Sequence, residues 1–265
     1  MSTTLGEAFA TARAQDRATL VGYLPSGATP DATFTAMVDA GVDVFEVGLP
    51  YSDPVIDGPV IQQAVDRALA AGTTPATVLR TVEAVARTGV PVVVMTYWNP
   101  VEQYGVDRFA ADLASAGGAG LITPDLTPEE AGPWLAAADK HDLDPVFLVA
   151  PSSTDARVAQ ITALCRGFVY ATSVMGVTGA RQQTSAAAPG LVARVRAVSD
   201  LPVGVGLGVS DGNQAAEVAG YADGVIVGSA FVRAVLDADS DADAARAVAA
   251  LAADLAEGVR RRRPA

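Results

Sequence analysis

Residues 42–49 read Val-Asp-Val-Phe-Glu-Val-Gly-Leu, a short run in which apolar residues follow one another almost without a break. Such runs are typical of parallel strands that are covered on both faces. Similar runs alternate along the chain with longer Ala-rich segments of helical period, which is the pattern of repeated βα units. The sequence predicts eight strands, at residues 18–23, 42–49, 91–97, 120–123, 145–149, 167–172, 202–206 and 224–227.

Eight strands with helical returns predict an α/β fold, the (β/α)8 TIM barrel. The chain has 265 residues, half of them hydrophobic, and one such barrel typically takes roughly 250 residues. We therefore expect a single domain over residues 1–265, with an extra N-terminal helix at 5–15 that covers the bottom of the barrel. A split helical region is expected at 61–87, and helix start signals stand at 29–31, 127–130 and 210–211.

Composition excludes several classes of function. The net charge of −12 gives no electrostatic reason to bind nucleic acid. Cys165 and His141 are the only residues of their kinds, so an intramolecular disulfide, a cysteine metal cage and a histidine triad are all excluded, and no metal site is expected. Acid–base chemistry must come from carboxylates, tyrosine or lysine. Neither a signal peptide nor a membrane span is indicated, so we expect a cytoplasmic protein.

Two carboxylates stand near the predicted end of the second strand, where barrel enzymes carry out their chemistry. Glu46 lies within the apolar run, facing either the barrel interior or the helix layer, and a carboxylate in either place is costly unless it is paired or used. It is either a satisfied structural residue or a general acid–base. Asp57 follows in a proline-rich loop, where an aspartate more often stabilises a turn.

Glycine-rich turns follow the last three predicted strands. Residues 173–181, after the sixth strand, have the glycines that a lid needs, although such loops are also common without a role. Small residues follow the seventh and eighth strands, around Gly206 and Gly208 and at Gly228 and Ser229. These two loops form the usual phosphate site of barrel enzymes, so a phosphorylated substrate is expected.

The run 46–59 resembles the signature of tryptophan synthase α subunits. It matches in order and spacing the Glu, Gly, Pro, aromatic, Ser-Asp-Pro and Asp-Gly-Pro elements of that family. Agreement extends over nearly the whole chain, at residues 25–27, 95–100, 124–125, 170, 176–179, 206–210 and 228–229.

The resemblance implies a lyase of tryptophan biosynthesis that splits indole-3-glycerol phosphate into indole and glyceraldehyde-3-phosphate by a retro-aldol reaction, with no cofactor in this chain. It implies that Glu46 moves protons, that Asp57 stabilises the cationic indolenine and that Tyr170 assists as a third catalytic residue. The implied substrate-binding residues are Tyr23 and Met95 as apolar walls, Thr178 as the lid residue that orients the aspartate, Gly206, and a phosphate cradle of Gly179, Gly208, Gly228 and Ser229.

A β subunit that carries pyridoxal phosphate and receives indole through a tunnel is the implied partner, in an αββα heterotetramer. The implied contact residues are Asp53, Pro54, Asn99 and Asp125. Thr127 departs from many family members and residues 174–175 depart from some, which leaves the details of coupling open. Three alternatives also remain open: a stand-alone indole-glycerol-phosphate lyase, a non-catalytic regulatory subunit, and another phosphate-binding barrel such as an epimerase.

Overall fold

One sheet of parallel strands forms the centre of the computed structural model, which describes residues 3–172, 187–206 and 208–261. Its strand order is β5-β4-β3-β2-β1-β9-β8-β7-β6. In the described part of the chain the strands are β1 Thr19–Pro25, β2 Val44–Gly48, β3 Val92–Met95, β4 Gly120–Ile122, β5 Asp144–Val146, β6 Leu148–Val149, β7 Val169–Thr172, β8 Val203–Gly206 and β9 Gly224–Val227.

The two ends of this order, β5 and β6, are separated along the chain by Phe147 alone. β5 pairs with β4, and β6 pairs with β7, so the divided strand closes the sheet into a barrel with eight strand positions. The backbone N–H of Phe147 donates to Sγ of Cys165 at 3.4 Å, which diverts it from the strand ladder. The predicted (β/α)8 barrel is therefore confirmed, but the fifth predicted strand is two short strands.

Twelve helices occur among the described residues and form the layer around the barrel. They are α1 Leu5–Ala14, α2 Asp31–Asp39, α3 Pro59–Ala70, α4 Pro75–Ala86, α5 Trp98–Tyr104, α6 Val106–Ser115, α7 Gly132–Lys140, α8 Asp155–Thr162, α9 Ala187–Arg196, α10 Gly212–Ala219, α11 Ser229–Leu236 and α12 Asp241–Arg260. The split region predicted at 61–87 corresponds to α3 and α4. In the part of the chain that the structure describes, no helix is both long and apolar enough to cross a membrane.

The extra N-terminal helix, α1, closes the bottom of the barrel as predicted. Thr4 and Glu7 form a reciprocal capping box at its start. Its buried residues Leu5 and Phe9 belong to one cluster with inward-facing side chains of the strands. The strand members of that cluster include Val21, Val44, Val93, Ile122, Val146, Phe168 and Ile226. Side chains alternate along a strand, so this cluster also defines which later residues face inward.

The three predicted helix starts had different outcomes. Asp211 caps α10 by accepting the backbone N–H groups of residues 213 and 214, both at 2.9 Å. α2 begins at Asp31, but without a side-chain cap. The start predicted at 127–130 is wrong, because these residues form a turn. In this turn the N–H of Glu130 donates to the carbonyl of Thr127, and the side chain of Glu129 forms an ion pair with Arg157 of α8. α7 begins only at Gly132.

Candidate active site

Glu46 faces the interior of the barrel, which decides between the two orientations that the sequence left open. It lies two residues after Val44, on the same face of β2, and its side chain is 1% exposed. Its Oε1 atom has no hydrogen-bond partner within the described residues. Burial raises the pKa of Glu46 from 4.5 to about 8, since a charged carboxylate is poorly solvated there. The group is therefore mainly protonated near neutral pH and can both donate and accept a proton.

Two tyrosines share the interior with Glu46: Tyr23, which is buried, and Tyr170, which is half-buried. Tyr23 is its register neighbour on β1, and Tyr170 projects from β7. Burial raises the pKa of Tyr23 well above its usual value, and the negative charges of Asp57 and Glu46 raise it further. Burial and then the charge of Glu46 do the same for the pKa of Tyr170. Tyr23 senses the charge of both carboxylates, so Glu46 and Asp57 both lie in the neighbourhood of this side chain.

Tyr97 holds the Asp57 loop in place, a role that the sequence analysis did not assign. Its hydroxyl accepts the backbone N–H of Ile56 at 3.0 Å and donates to the carboxylate of Asp57. Burial raises the pKa of Asp57, and this hydrogen bond opposes the shift. The pKa of Tyr97 itself is raised, chiefly by burial, to about 12, so it remains a donor. The available signal was its place in the run 95–100, just after a strand.

Two glycines give the tyrosines room inside the barrel. A Cβ atom on Gly48 would lie 2.5 Å from the hydroxyl oxygen of Tyr23, and one on Gly206 would lie 2.5 Å from that of Tyr170. Real Cβ atoms do not approach other atoms so closely, and overpacked cores are destabilised. The glycines therefore allow the two tyrosine rings to lie across the interior next to Glu46. Met95, the remaining predicted wall residue, is half-buried at the end of β3.

The predicted phosphate residues lie at the mouth, after β8 and β9. Gly228 precedes α11 without a side-chain cap, and Ser229, 7% exposed, is the first residue of that helix. Gly208 has a φ angle of +71°, a conformation that favours glycine. Backbone N–H groups at a helix start attract anions. Thr178 and Gly179, the predicted lid and cradle residues, lie outside the described residues.

The residues predicted to contact a partner lie at the mouth, after β2, β3 and β4: Asp53, Pro54, Asn99 and Asp125. The side-chain amide of Asn99 donates to the hydroxyl of Tyr51 at 3.2 Å. The carboxylate of Asp125 accepts the backbone N–H of Trp98 at 2.9 and 3.1 Å, so it caps the start of α5. Asp53 is exposed, and Pro54 is half-buried. These contacts connect three neighbouring loops into one surface.

A closed parallel barrel with ionisable groups at the carboxyl ends of its strands defines a (β/α)8-barrel enzyme. The family model described as "Tryptophan synthase alpha chain" matches residues 9–260. The chain belongs to the tryptophan synthase alpha chain family. The resemblance inferred from residues 46–59 is thereby confirmed.

Similar proteins agree with this assignment. The chain is 65% identical to the tryptophan synthase alpha chain of Acidothermus cellulolyticus, over 98% of each chain, and 66% identical to that of Salinispora arenicola, over 97% of each. Among solved structures, it resembles Mycobacterium tuberculosis tryptophan synthase, with a TM-score of 0.91, 55% identity and coverage of 98% and 99%. It also resembles tryptophan synthase subunit alpha from Legionella pneumophila, with a TM-score of 0.85, 33% identity and coverage of 98% of both.

Membership of the family makes the chain a carbon–carbon lyase of tryptophan biosynthesis that cleaves indole-3-glycerol phosphate to indole and glyceraldehyde-3-phosphate. The alternatives of a stand-alone lyase and of a non-catalytic regulatory subunit are not favoured by matches that cover nearly the whole of each protein.

Proposed function

We propose that Glu46 and Asp57 carry out this cleavage between them. The protonated carboxyl group of Glu46 gives its proton to C3 of the indole ring, and the resulting indolenine cation is stabilised by the carboxylate of Asp57, which accepts the ring N–H. The Glu46 carboxylate then removes the proton from the hydroxyl on the carbon attached to C3. The O–H electrons form the aldehyde, and the electrons of the broken C–C bond return to the ring. Negative charge aimed at developing positive charge stabilises the transition state more than the neutral ground state.

The observation that carries this proposal is the environment of Tyr23. This single side chain senses the charge of both carboxylates, although Glu46 lies on β2 and Asp57 lies in the loop beyond it. The two environments also differ as the roles require. Glu46 is buried without a partner for Oε1 among the described residues, which favours its protonated form. Asp57 accepts a hydrogen bond from Tyr97, which favours its charged form. Tyr170, next to Glu46, is proposed to orient the proton transfer.

The rest of the substrate is proposed to extend from the carboxylates to the start of α11. Gly208, Gly228 and Ser229 would hold the phosphate with backbone N–H groups, and Tyr23 and Met95 would contact the organic part. Gly206, at the end of β8, is proposed to keep this path open because it has no Cβ. Thr178 and Gly179 keep their proposed roles as lid and cradle residues.

A pyridoxal-phosphate β subunit is the proposed partner, in an αββα assembly in the cytoplasm, with this chain acting as one barrel domain. Its docking surface would include Asp53, Pro54, Asn99 and Asp125. The shared position of these residues at the mouth supports this proposal, because indole released there would enter the partner directly. The similar solved structures from M. tuberculosis are structures of tryptophan synthase, which agrees with such a partnership. The cofactor would be held by the partner.

Indole release from indole-3-glycerol phosphate tests the catalytic roles. We expect Glu46→Gln and Asp57→Asn each to lower kcat by about 10²-fold or more, because each removes a group that acts in the transition state. Binding of a substrate analogue should change little. Glu83→Gln, on the exposed part of α4, is the matched control and should retain full activity. Wild-type turnover in the Glu46 or Asp57 variant would refute the assignment. The assay is run with and without added β subunit, and a large increase with the β subunit supports the partnership.

Ser229→Asp tests the phosphate site separately. A carboxylate at the first residue of α11 is favourable for the helix but repels a phosphate. We expect KM for indole-3-glycerol phosphate to rise at least about tenfold, the effect of losing a charge-assisted contact, and a thermal melt checks that the variant is folded. An unchanged KM would remove the start of α11 from the substrate site.

A further inference from the structure

Tyr23 spans the distance between the two ends of the proposed site. One edge of its ring lies against Gly228, since a Cβ built there would lie 3.3 Å from Cδ1 and 3.6 Å from Cβ of Tyr23. The other end, the hydroxyl, lies over Gly48, 2.5 Å from where a Cβ would be. Gly228 belongs to the phosphate end, and Gly48 follows Glu46 by two residues on the same inward face of β2. The ring therefore runs from the phosphate end to the acid–base end.

A wall that only contacts an apolar ring needs no polar atom, yet Tyr23 carries a hydroxyl. Tyr23 as a whole is 8% exposed, and its hydroxyl is not among the buried polar atoms that lack a hydrogen-bond partner in the described part of the chain. In indole-3-glycerol phosphate, the atoms between the phosphate and the ring are carbons that bear two hydroxyl groups. A hydroxyl donor at the Glu46 end of the Tyr23 ring would meet this glycerol segment in a substrate that spans the proposed site.

We propose that the Tyr23 hydroxyl donates a hydrogen bond to a glycerol hydroxyl of the substrate, which makes Tyr23 a substrate-positioning and specificity residue in addition to a wall of the site. This inference rests on the proposed function of the same mouth. No proton is transferred, because Tyr23 stays a donor while Glu46 alone moves protons. The raised pKa of Tyr23, caused by burial and by the charges of Asp57 and Glu46, keeps its hydroxyl protonated throughout the neutral range.

Tyr23→Phe removes the hydroxyl and keeps the ring, so it separates the two roles of the residue. Two compounds serve as probes: indole-3-glycerol phosphate, and 3-indolylpropyl phosphate, which has the same ring and phosphate but no glycerol hydroxyls. We expect kcat/KM for the substrate to fall about tenfold, the effect of one lost hydrogen bond to a polar group. The Kd of 3-indolylpropyl phosphate should stay within about twofold of the wild-type value.

Tyr221→Phe is the matched control, because the Tyr221 hydroxyl is buried without a hydrogen-bond partner among the described residues. This variant should change neither kcat/KM for indole-3-glycerol phosphate nor the Kd of 3-indolylpropyl phosphate. An unchanged kcat/KM in Tyr23→Phe would overturn the inference. An equal loss of kcat/KM for the substrate and of affinity for 3-indolylpropyl phosphate would also overturn it, because Tyr23 would then act only as a wall of the site. Tm and circular dichroism confirm that each variant is folded. Failure of the proposed function is distinguishable, since it would appear as full activity in Glu46→Gln while the wild-type protein cleaves the substrate.

Discussion

Replacing Glu46 by glutamine measures the free energy that it costs to hold a carboxyl group inside the barrel. Its pKa is raised by burial from 4.5 to about 8. Between these two values the folded protein binds one more proton than the unfolded chain, so the free energy of unfolding falls as pH rises. Each pH unit in this interval corresponds to about 1.36 kcal/mol. Glutamine does not titrate, so the free energy of unfolding of the Glu46→Gln variant does not fall with pH for this reason.

Between pH 5 and pH 8, the stability of Glu46→Gln relative to the wild type should therefore increase by about 3 to 4 kcal/mol. The sign follows from the raised pKa of Glu46. Protonated Glu46 stabilises the folded protein fully when the pH is below the pKa of Glu46 in the unfolded chain. This stabilisation is lost as the pH approaches the pKa of Glu46 in the folded protein. Urea unfolding followed by circular dichroism, at four pH values, measures the difference. Glu83→Gln, in an exposed ion pair with Arg87, serves as control and should show no comparable slope. A difference between Glu46→Gln and wild type that stays within about 1 kcal/mol across this range would refute the reasoning.

Three further outcomes are expected. Gly206→Ala should destabilise the protein by about 1–3 kcal/mol, because its Cβ would lie 2.5 Å from the Tyr170 hydroxyl. Thermal unfolding measures this loss, and adding Tyr170→Phe should recover part of it. A double variant that is as unstable as Gly206→Ala alone would contradict the contact. Tyr97→Phe should lower kcat about tenfold by removing the donor that holds Asp57; an indole assay with full activity would exclude that role. The pH profile of kcat/KM should fall above about pH 8 as Glu46 loses its proton and at acid pH as Asp57 gains one; a rate that is flat from pH 6 to pH 10 would be incompatible with the role of Glu46.

The barrel could be predicted from the sequence because its strands are short, apolar and regularly spaced. The run 224–227 coincides with β9, and residues 202–206 differ from β8 by one residue. The division of the fifth strand at Phe147 was not predictable, because it depends on a hydrogen bond to Cys165, a residue that is distant in sequence. The wrong helix start at 127–130 has a similar cause. Thr-Pro-Glu-Glu is a good local start signal, but Glu129 binds Arg157 of the next helix, and the chain turns first.

The sequence named candidate site residues but could not give the contacts among them. Alternation along β2 showed that Glu46 was unusual, yet it could not say which face was inward, since that depends on the packing of α1 beneath the strands. Tyr23 was expected as an apolar wall, and its relation to both carboxylates emerged only from the folded barrel. Tyr97 was missed because its partner, the Asp57 loop, lies some forty residues earlier.

The helix beneath the barrel also bears on the routes that substrate and products would take. Leu5 and Phe9 of α1 pack against inward side chains of the strands at the lower end. With the proposed site, substrate would enter and both products would leave through the upper opening, where the loops after β2, β3 and β4 are joined by hydrogen bonds. A subunit seated on that opening would set the order of departure, and indole, the uncharged product, would diffuse into that subunit.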